Sequence, residues 1–289
     1  DLLDKQTNLS GAFLGGVLLA AVTSLPELFT SISSVVFLDE PEMVVGNILG
    51  SNLFNVAALS MVSLLGFKII RRRPVAASHA KTVLFTLTIY ALLAVLAADL
   101  FHIYLFGINI ASVLIVILYV LGVKTLSGED SSESVNDAAV SGLTPRQILM
   151  RFAFLSLCLV LVSIGLTYNL GAPFAGAVFL GVATSLPELV STSQLVRLGN
   201  YNAACGNILG SNLFNFTILA IADFLYTAGT VYIFGYQSIV LLVCGIAAGL
   251  VMMIYVWSNS HGRRLGAAKS LLLLLAGVLC YVSFLLLTV

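Results

Sequence analysis

The chain has 289 residues, 60% of them hydrophobic and only 9% charged, and it carries no net formal charge. A soluble domain holds roughly 25% charged residues, so that class is excluded. Apolar runs of about 20 residues recur along its length, enough to cross a bilayer core about 30 Å thick, whereas the alternating segments of about ten residues typical of a membrane β-barrel are absent.

In chain order, spans are predicted at 9–37, 43–66, 81–99, 103–123, 147–168, 171–196, 202–226, 237–257 and 270–288. Hydrophilic stretches separate them: KIIRRRPVAASHAK at 68–81, an acidic loop bearing Ser and Gly over 124–146, and SNSHGRRLGAAK at 258–269. The 124–146 loop is the natural linker, giving an N-terminal unit at 1–123 and a C-terminal unit at 147–289. With the RRR segment in the cytoplasm and crossings alternating, all 13 Lys and Arg fall on one side. Asp39, Glu40, Glu42 and Asp99 fall on the other, and the C-terminus lies outside. The four cysteines, Cys158, Cys205, Cys244 and Cys280, sit in apolar runs and read as buried small hydrophobes. His79, His102 and His261 fall in or beside loops, and no His/Cys cluster suggests zinc, copper or haem.

Two polar motifs are written twice. TSLPEL occupies 23–28 and 184–189; GNILGSNLFN occupies 46–55 and 206–215. Five crossings, an odd number, separate the two TSLPEL copies, so they enter the membrane in opposite directions. The predicted fold is an all-α polytopic protein of two inverted-topology repeats of five helices, an arrangement that places a binding site at the bilayer midplane. The second TSLPEL segment follows the span 147–168, whereas only DLLDKQTN precedes the first predicted span. The symmetry therefore predicts that the first repeat lacks its first helix here and that the intact protein has ten spans.

Among the acidic residues, Glu27 and Glu188 lie deep within spans and inside a motif. Asp223 is also in an apolar run, but near its outer end, where a carboxylate is expected to reach water. A charge at mid-bilayer costs at least about 2.5–3.5 kcal/mol, and such residues mark ion pathways. The alternative is a pair of protonated glutamates acting as interhelical glue. Thr23 and Ser24 stand four and three residues before Glu27, on the same helix face, and Thr184 and Ser185 repeat this before Glu188. Pro26 and Pro187 free backbone carbonyls nearby. Carboxylates, hydroxyls and carbonyls form a hard-oxygen set suited to Ca²⁺ or Na⁺. Asn47, Ser51 and Asn55 form one polar stripe, and Asn207, Ser211 and Asn215 form another. Gly46 and Gly50 have the spacing that lets this helix approach the TSLPEL helix, so that Ser51, Asn55, Ser211 and Asn215 complete the cage. Asn47, Asn52, Asn207 and Asn212 read equally well as helix glue.

TSLPE followed by GNxxGSNxxN, repeated in inverted halves, resembles the α-repeats of the Ca²⁺/cation antiporter superfamily, sodium/calcium exchangers above all. The motifs cover roughly 13–55 and 174–215. The resemblance implies a ten-helix, alternating-access exchanger of Ca²⁺ for Na⁺. Its site would take Thr23, Ser24, Glu27, Ser51 and Asn55 with Thr184, Ser185, Glu188, Ser211 and Asn215, and by the same match the backbone carbonyls of Ala20 and Gly181. At Asn215 well-known sodium/calcium exchangers often carry Asp. Its replacement leaves two carboxylates instead of three and gives weight to H⁺ as an alternative counter-ion.

The expected partners are the transported cations and the lipid bilayer, with no nucleic acid, no organic cofactor and no enzymatic activity suggested. A cation channel is a less favoured reading, because inverted repeats in one chain converge on a point instead of forming a ring. An intramembrane hydrolase using Ser24 or Ser185 lacks a His or Lys base.

Overall fold

The computed structural model describes residues 19–71, 73, 75–100, 103–105, 107–127, 180–260 and 265–288. The predicted span at 147–168, segments 9–18 and 171–179, most of the linker, Cys158, His102 and His261 lie outside the described residues. So do Lys5, Arg72, Arg146, Arg151, Arg263 and Arg264.

The first described unit holds α1 (Leu19–Thr23), α2 (Leu25–Val36), α3 (Glu42–Leu65), the single turn α4 (Phe67–Ile70) and α5 (Ser78–Ala97). A small antiparallel hairpin, β1 (Tyr104–Leu105) with β2 (Ile108–Asn109), leads into α6 (Ile110–Ser127). The second holds α7 (Gly181–Thr184), α8 (Leu186–Arg197), α9 (Tyr201–Leu225), α10 (Tyr236–Asn259) and α11 (Ala267–Thr288). Among the described residues, α3, α5, α9, α10 and α11 are long and apolar enough to span a membrane, and α2 and α6 are shorter apolar helices.

Burial sorts these helices. The most apolar windows of α3 and α9 are 78% and 72% buried, whereas that of α11 is 17% buried. The helices that carry the GNILGSNLFN motifs are therefore the centre of the bundle, and α11 lies at its rim. Outward residues such as Leu272, Leu286, Val243 and Ile254 are exposed hydrocarbon, unfavourable in water and matched to lipid chains. The interior is packed by Ile48, Leu49 and Leu53 of α3 against Leu213 and Phe216 of α9. Tyr90 of α5 meets Phe216 edge-on, with ring centroids 5.1 Å apart, a favoured aromatic geometry.

Two predicted spans are broken instead of continuous. Between α1 and α2 the chain turns at Ser24, and between α7 and α8 at Ser185, with φ −87° at both. Pro26 and Pro187 occupy the first turn of the helix that restarts, where a missing N–H costs nothing. The flanking ladder survives, with Ser24 N donating to Ala20 O at 3.1 Å and Leu28 N to Ser24 O at 3.2 Å. The interruption is thus a one-residue corner, and it sets Glu27 and Glu188 in the first turn of the helix that follows.

The two breaks point in opposite directions. From its corner α2 runs to the end of the molecule where Tyr226 hydrogen-bonds Asp39 and Tyr236 hydrogen-bonds Leu287 O. From its own corner α8 runs to the other end, where Gly199 (φ +77°) turns the chain beside the Arg73 guanidinium and His79 meets Asn202. This antiparallel pair of broken helices is the inverted repeat in three dimensions.

Two expectations need correction. The fourth span does not begin as helix at 103: α6 starts at Ile110, after a hairpin turned at Gly107 (φ +83°). Asn109 Oδ1 accepts from Ala111 N at 3.0 Å and caps that start. Asp223 does not reach water and is only 2% exposed. Its Oδ2 accepts from Ser112 Oγ at 2.6 Å and Asn109 N at 3.0 Å. Because Ser112 spends its proton on the carboxylate, Tyr232 OH, 2.6 Å away, donates to Ser112. The acid ties the end of α9 to the start of α6 through Oδ2, and its Oδ1 is buried without a partner among the described residues.

Candidate cation site

Glu27 and Glu188 are the third residues of α2 and α8, inside the first turn of each. The N-terminal end of a helix carries partial positive charge and favours a carboxylate. Both side chains are 0% exposed, and no Lys or Arg among the described residues pairs with either. Each reaches the corner serine of the opposite half, Glu27 at Ser185 and Glu188 at Ser24.

Each glutamate is held by the opposite half. Ser24 Oγ donates to Glu188 Oε1 at 3.0 Å, and Ser185 Oγ donates to Glu27 Oε1 at 2.9 Å. The hydroxyls pair the same way: Thr23 Oγ1 is 3.3 Å from Ser211 Oγ, and Thr184 Oγ1 is 3.3 Å from Ser51 Oγ. Carbonyls follow, with Ser51 Oγ donating to Gly181 O at 3.3 Å and Ser211 Oγ to Ala20 O at 3.4 Å. All twelve residues singled out in the sequence therefore gather around the seam between the halves or adjoin it.

Contacts across the seam revise one expectation. Gly50 does not serve only to bring α3 towards the TSLPEL helix of its own half. A Cβ on Gly181 would stand 3.0 Å from Ser51 N and 3.1 Å from Gly50 C, so α7 of the second half lies backbone to backbone on α3. Absence of a side chain at Gly181 is what lets its carbonyl reach the Ser51 hydroxyl.

Several polar atoms at the seam are left over. Oε2 of Glu27, Oε2 of Glu188, Oδ1 of Asn55 and Oδ1 of Asn215 are buried without a hydrogen-bond partner among the described residues. Buried oxygens are normally satisfied; four symmetry-related ones, all acceptors, are what a hard cation would engage. Asn207 Oδ1 is likewise buried without a partner among the described residues, but the nitrogens of Asn47 and Asn207 are both engaged. Asn47 Nδ2 donates to Glu27 O at 3.3 Å and Ser31 Oγ at 3.0 Å, and Asn207 Nδ2 to Ser191 Oγ at 2.8 Å, so both staple α2 and α8 to the central helices. Ser31, Ser191 and Thr192 are supports that the sequence reading passed over; each lies about one turn after its glutamate, and that spacing was the available signal.

A family model described as "Sodium/calcium exchanger protein" matches residues 1–123 and 148–289. The chain belongs to this sodium/calcium exchanger family. Within wider comparisons, it is 24% identical over 288 residues to inner membrane protein YrbG of Escherichia coli (strain K12), covering 92% of this chain and 85% of that protein. It is 28% identical over 236 residues to the antiporter candidate CaxA of Alkalimonas amylolytica, covering 75% and 70%. Solved structures of the sodium-calcium exchanger NCX_Mj share the fold. One, soaked with 100 mM Na⁺ and 10 mM Sr²⁺, has a TM-score of 0.64 at 20% identity over 97% of this chain and 89% of that one. Another, soaked with 2.5 mM Na⁺ and 0.1 mM Ca²⁺, gives 0.62 at 19% identity with the same coverage. As a member of the family, the chain is an integral multi-pass membrane protein of the Ca²⁺/cation antiporter superfamily.

Proposed function

We propose that the chain exchanges Ca²⁺ for Na⁺ across a membrane by alternating access, using the cage around Glu27 and Glu188. The observation that carries this reading is the pair of buried glutamates, each fastened through one oxygen to the opposite half while the other oxygen has no partner among the described residues. Two carboxylates match the charge of one Ca²⁺. Ser24, Ser51, Ser185, Ser211, Thr23, Thr184, the Asn55 and Asn215 amide oxygens and the carbonyls of Ala20 and Gly181 supply the neutral oxygens that replace its hydration shell.

Exchange follows from electrostatics. An empty cage leaves two uncompensated carboxylates in a low dielectric, which disfavours the crossing between outward- and inward-open forms. A cage filled by Ca²⁺ or by its counter-ions is neutralised and can cross. Both cargoes need the same oxygens, so they travel alternately. The basic loops lie in the cytoplasm, consistent with the gathering of Arg71, Arg73, Arg197 and His79 at one end of the molecule and of Asp39 and Glu42 at the other.

Protons are the second candidate counter-ion, favoured by Asn215: an amide there leaves two carboxylates to be neutralised, and two protons suffice. The experiment that separates the readings uses purified protein in liposomes loaded with Ca²⁺ indicator. An imposed Na⁺ gradient at fixed pH drives Ca²⁺ uptake if sodium is the counter-ion; uptake that follows only a pH gradient assigns the role to protons.

A further inference from the structure

Asn52 and Asn212 lie three residues before Asn55 and Asn215 in the repeated motif, and neither leaves an unpartnered atom at the seam. Instead they face each other across it. Asn52 Nδ2 donates to Asn212 O at 3.1 Å, and Asn212 Nδ2 returns a bond to Asn52 O at 3.0 Å. With each nitrogen directed at a backbone carbonyl, the two amide oxygens receive the next asparagine of the opposite half: Asn55 Nδ2 donates to Asn212 Oδ1 at 3.0 Å, and Asn215 Nδ2 to Asn52 Oδ1 at 2.9 Å. All four side chains are 2% exposed or less.

An asparagine amide is nearly symmetric in shape, with an acceptor at one end and two donors at the other. Without a partner that tells the ends apart, it can rotate and present N–H groups to its surroundings. Here rotation of Asn55 would set its oxygen against Asn212 Oδ1, and rotation of Asn212 would break its bonds to both Asn52 and Asn55. The four bonds are consistent only in one sense, and that sense leaves free the Oδ1 atoms of Asn55 and Asn215.

We propose that Asn52 and Asn212 are positioning residues, each holding the asparagine of the opposite half so that its amide oxygen, and not its nitrogen, faces the cation. The inference rests on the exchanger reading of this cage. It assigns the pairs crosswise, Asn52 with Asn215 and Asn212 with Asn55. It also makes α3 and α9 one rigid unit, joined at the point where the site is built.

The crosswise pairing supplies the test, with Ca²⁺ binding to the purified chain measured by titration calorimetry. Asn52→Ala and Asn212→Ala each weaken Ca²⁺ binding about 10- to 100-fold, the usual effect of losing a group that orients a metal ligand. Asn215→Asp, whose carboxylate offers oxygen at either end, restores affinity to Asn52→Ala and not to Asn212→Ala; Asn55→Asp does the reverse. Each double variant is compared with the same Asp substitution in the unmodified background, and Asn→Leu at the same position replaces any Ala variant that fails to fold. Unchanged affinity in Asn52→Ala and Asn212→Ala, or rescue that ignores the pairing, overturns the inference alone. An unmodified chain that binds no Ca²⁺ overturns the exchanger reading and the inference with it.

Discussion

Ser24 in the first half donates its hydroxyl to Glu188 in the second at 3.0 Å, and Ser185 returns the bond to Glu27 at 2.9 Å. Each half thus fixes the other's acid. Glutamine at position 27 or 188 keeps the shape and the capacity to hydrogen-bond but removes the charge that neutralises a divalent cation. Glu27→Gln and Glu188→Gln should each abolish Ca²⁺ uptake into proteoliposomes while the protein still folds and reconstitutes. Ser24→Ala should lower flux less severely, since a hydrogen bond to a charged group contributes about 1.5–3 kcal/mol and both carboxylates remain.

Gly181 tests the close approach of the halves. A methyl group there would meet the backbone of Gly50 and Ser51 at 3.0–3.3 Å, and backbone in the centre of a bundle cannot move aside as a side chain can. Gly181→Val should reduce both the melting temperature and Ca²⁺ affinity by driving α7 off α3. The same change at Gly266, where an added Cβ would meet nothing within 4 Å, should leave Ca²⁺ affinity unaltered.

Asp223 gives a contrast with the two glutamates. Its carboxylate joins Ser112 and the Asn109 amide, away from the seam. Asp223→Asn weakens two charge-assisted bonds and should lower thermal stability by about 1–3 kcal/mol, read as a fall in melting temperature. Ca²⁺ affinity should stay near that of the unmodified chain, in contrast with either glutamate variant.

How much of this was legible beforehand differs from element to element. The long helices were, because a bilayer demands length and apolarity that stand out in any window, and the predicted 43–66 and 237–257 lie within two residues of α3 and α10. The residues that meet at the seam were legible because they were written twice. What the letters did not carry is which half each one serves. Ser51 beside Thr184 and Ser24 on Glu188 are contacts between residues more than a hundred positions apart, set by packing of antiparallel helices and not by helical spacing. Its place near the outer end of an apolar run put Asp223 near water, because one helix's sequence cannot show that the start of another covers its end. The hairpin before α6 was hidden for a related reason: FHIYLFGIN is as apolar as a helix, and the turn at Gly107 is decided by backbone conformation.

Ligand linkage provides a check that does not depend on transport. A cation that binds the folded chain stabilises it by about 2.7 kcal/mol at a hundred times its dissociation constant. Added Ca²⁺ should therefore raise the melting temperature of the detergent-solubilised protein, and chelation should reverse the gain. Glu27→Gln should melt at one temperature with or without Ca²⁺.

The most direct measurement is an experimental structure determined with Ca²⁺ present. The account predicts one density peak between the Glu27 and Glu188 carboxylates, with carboxylate and carbonyl oxygens at about 2.3–2.6 Å, as Ca²⁺ requires. Glutamates turned into separate compartments, or Ca²⁺ bound elsewhere with the seam closed by hydrogen bonds alone, would contradict it.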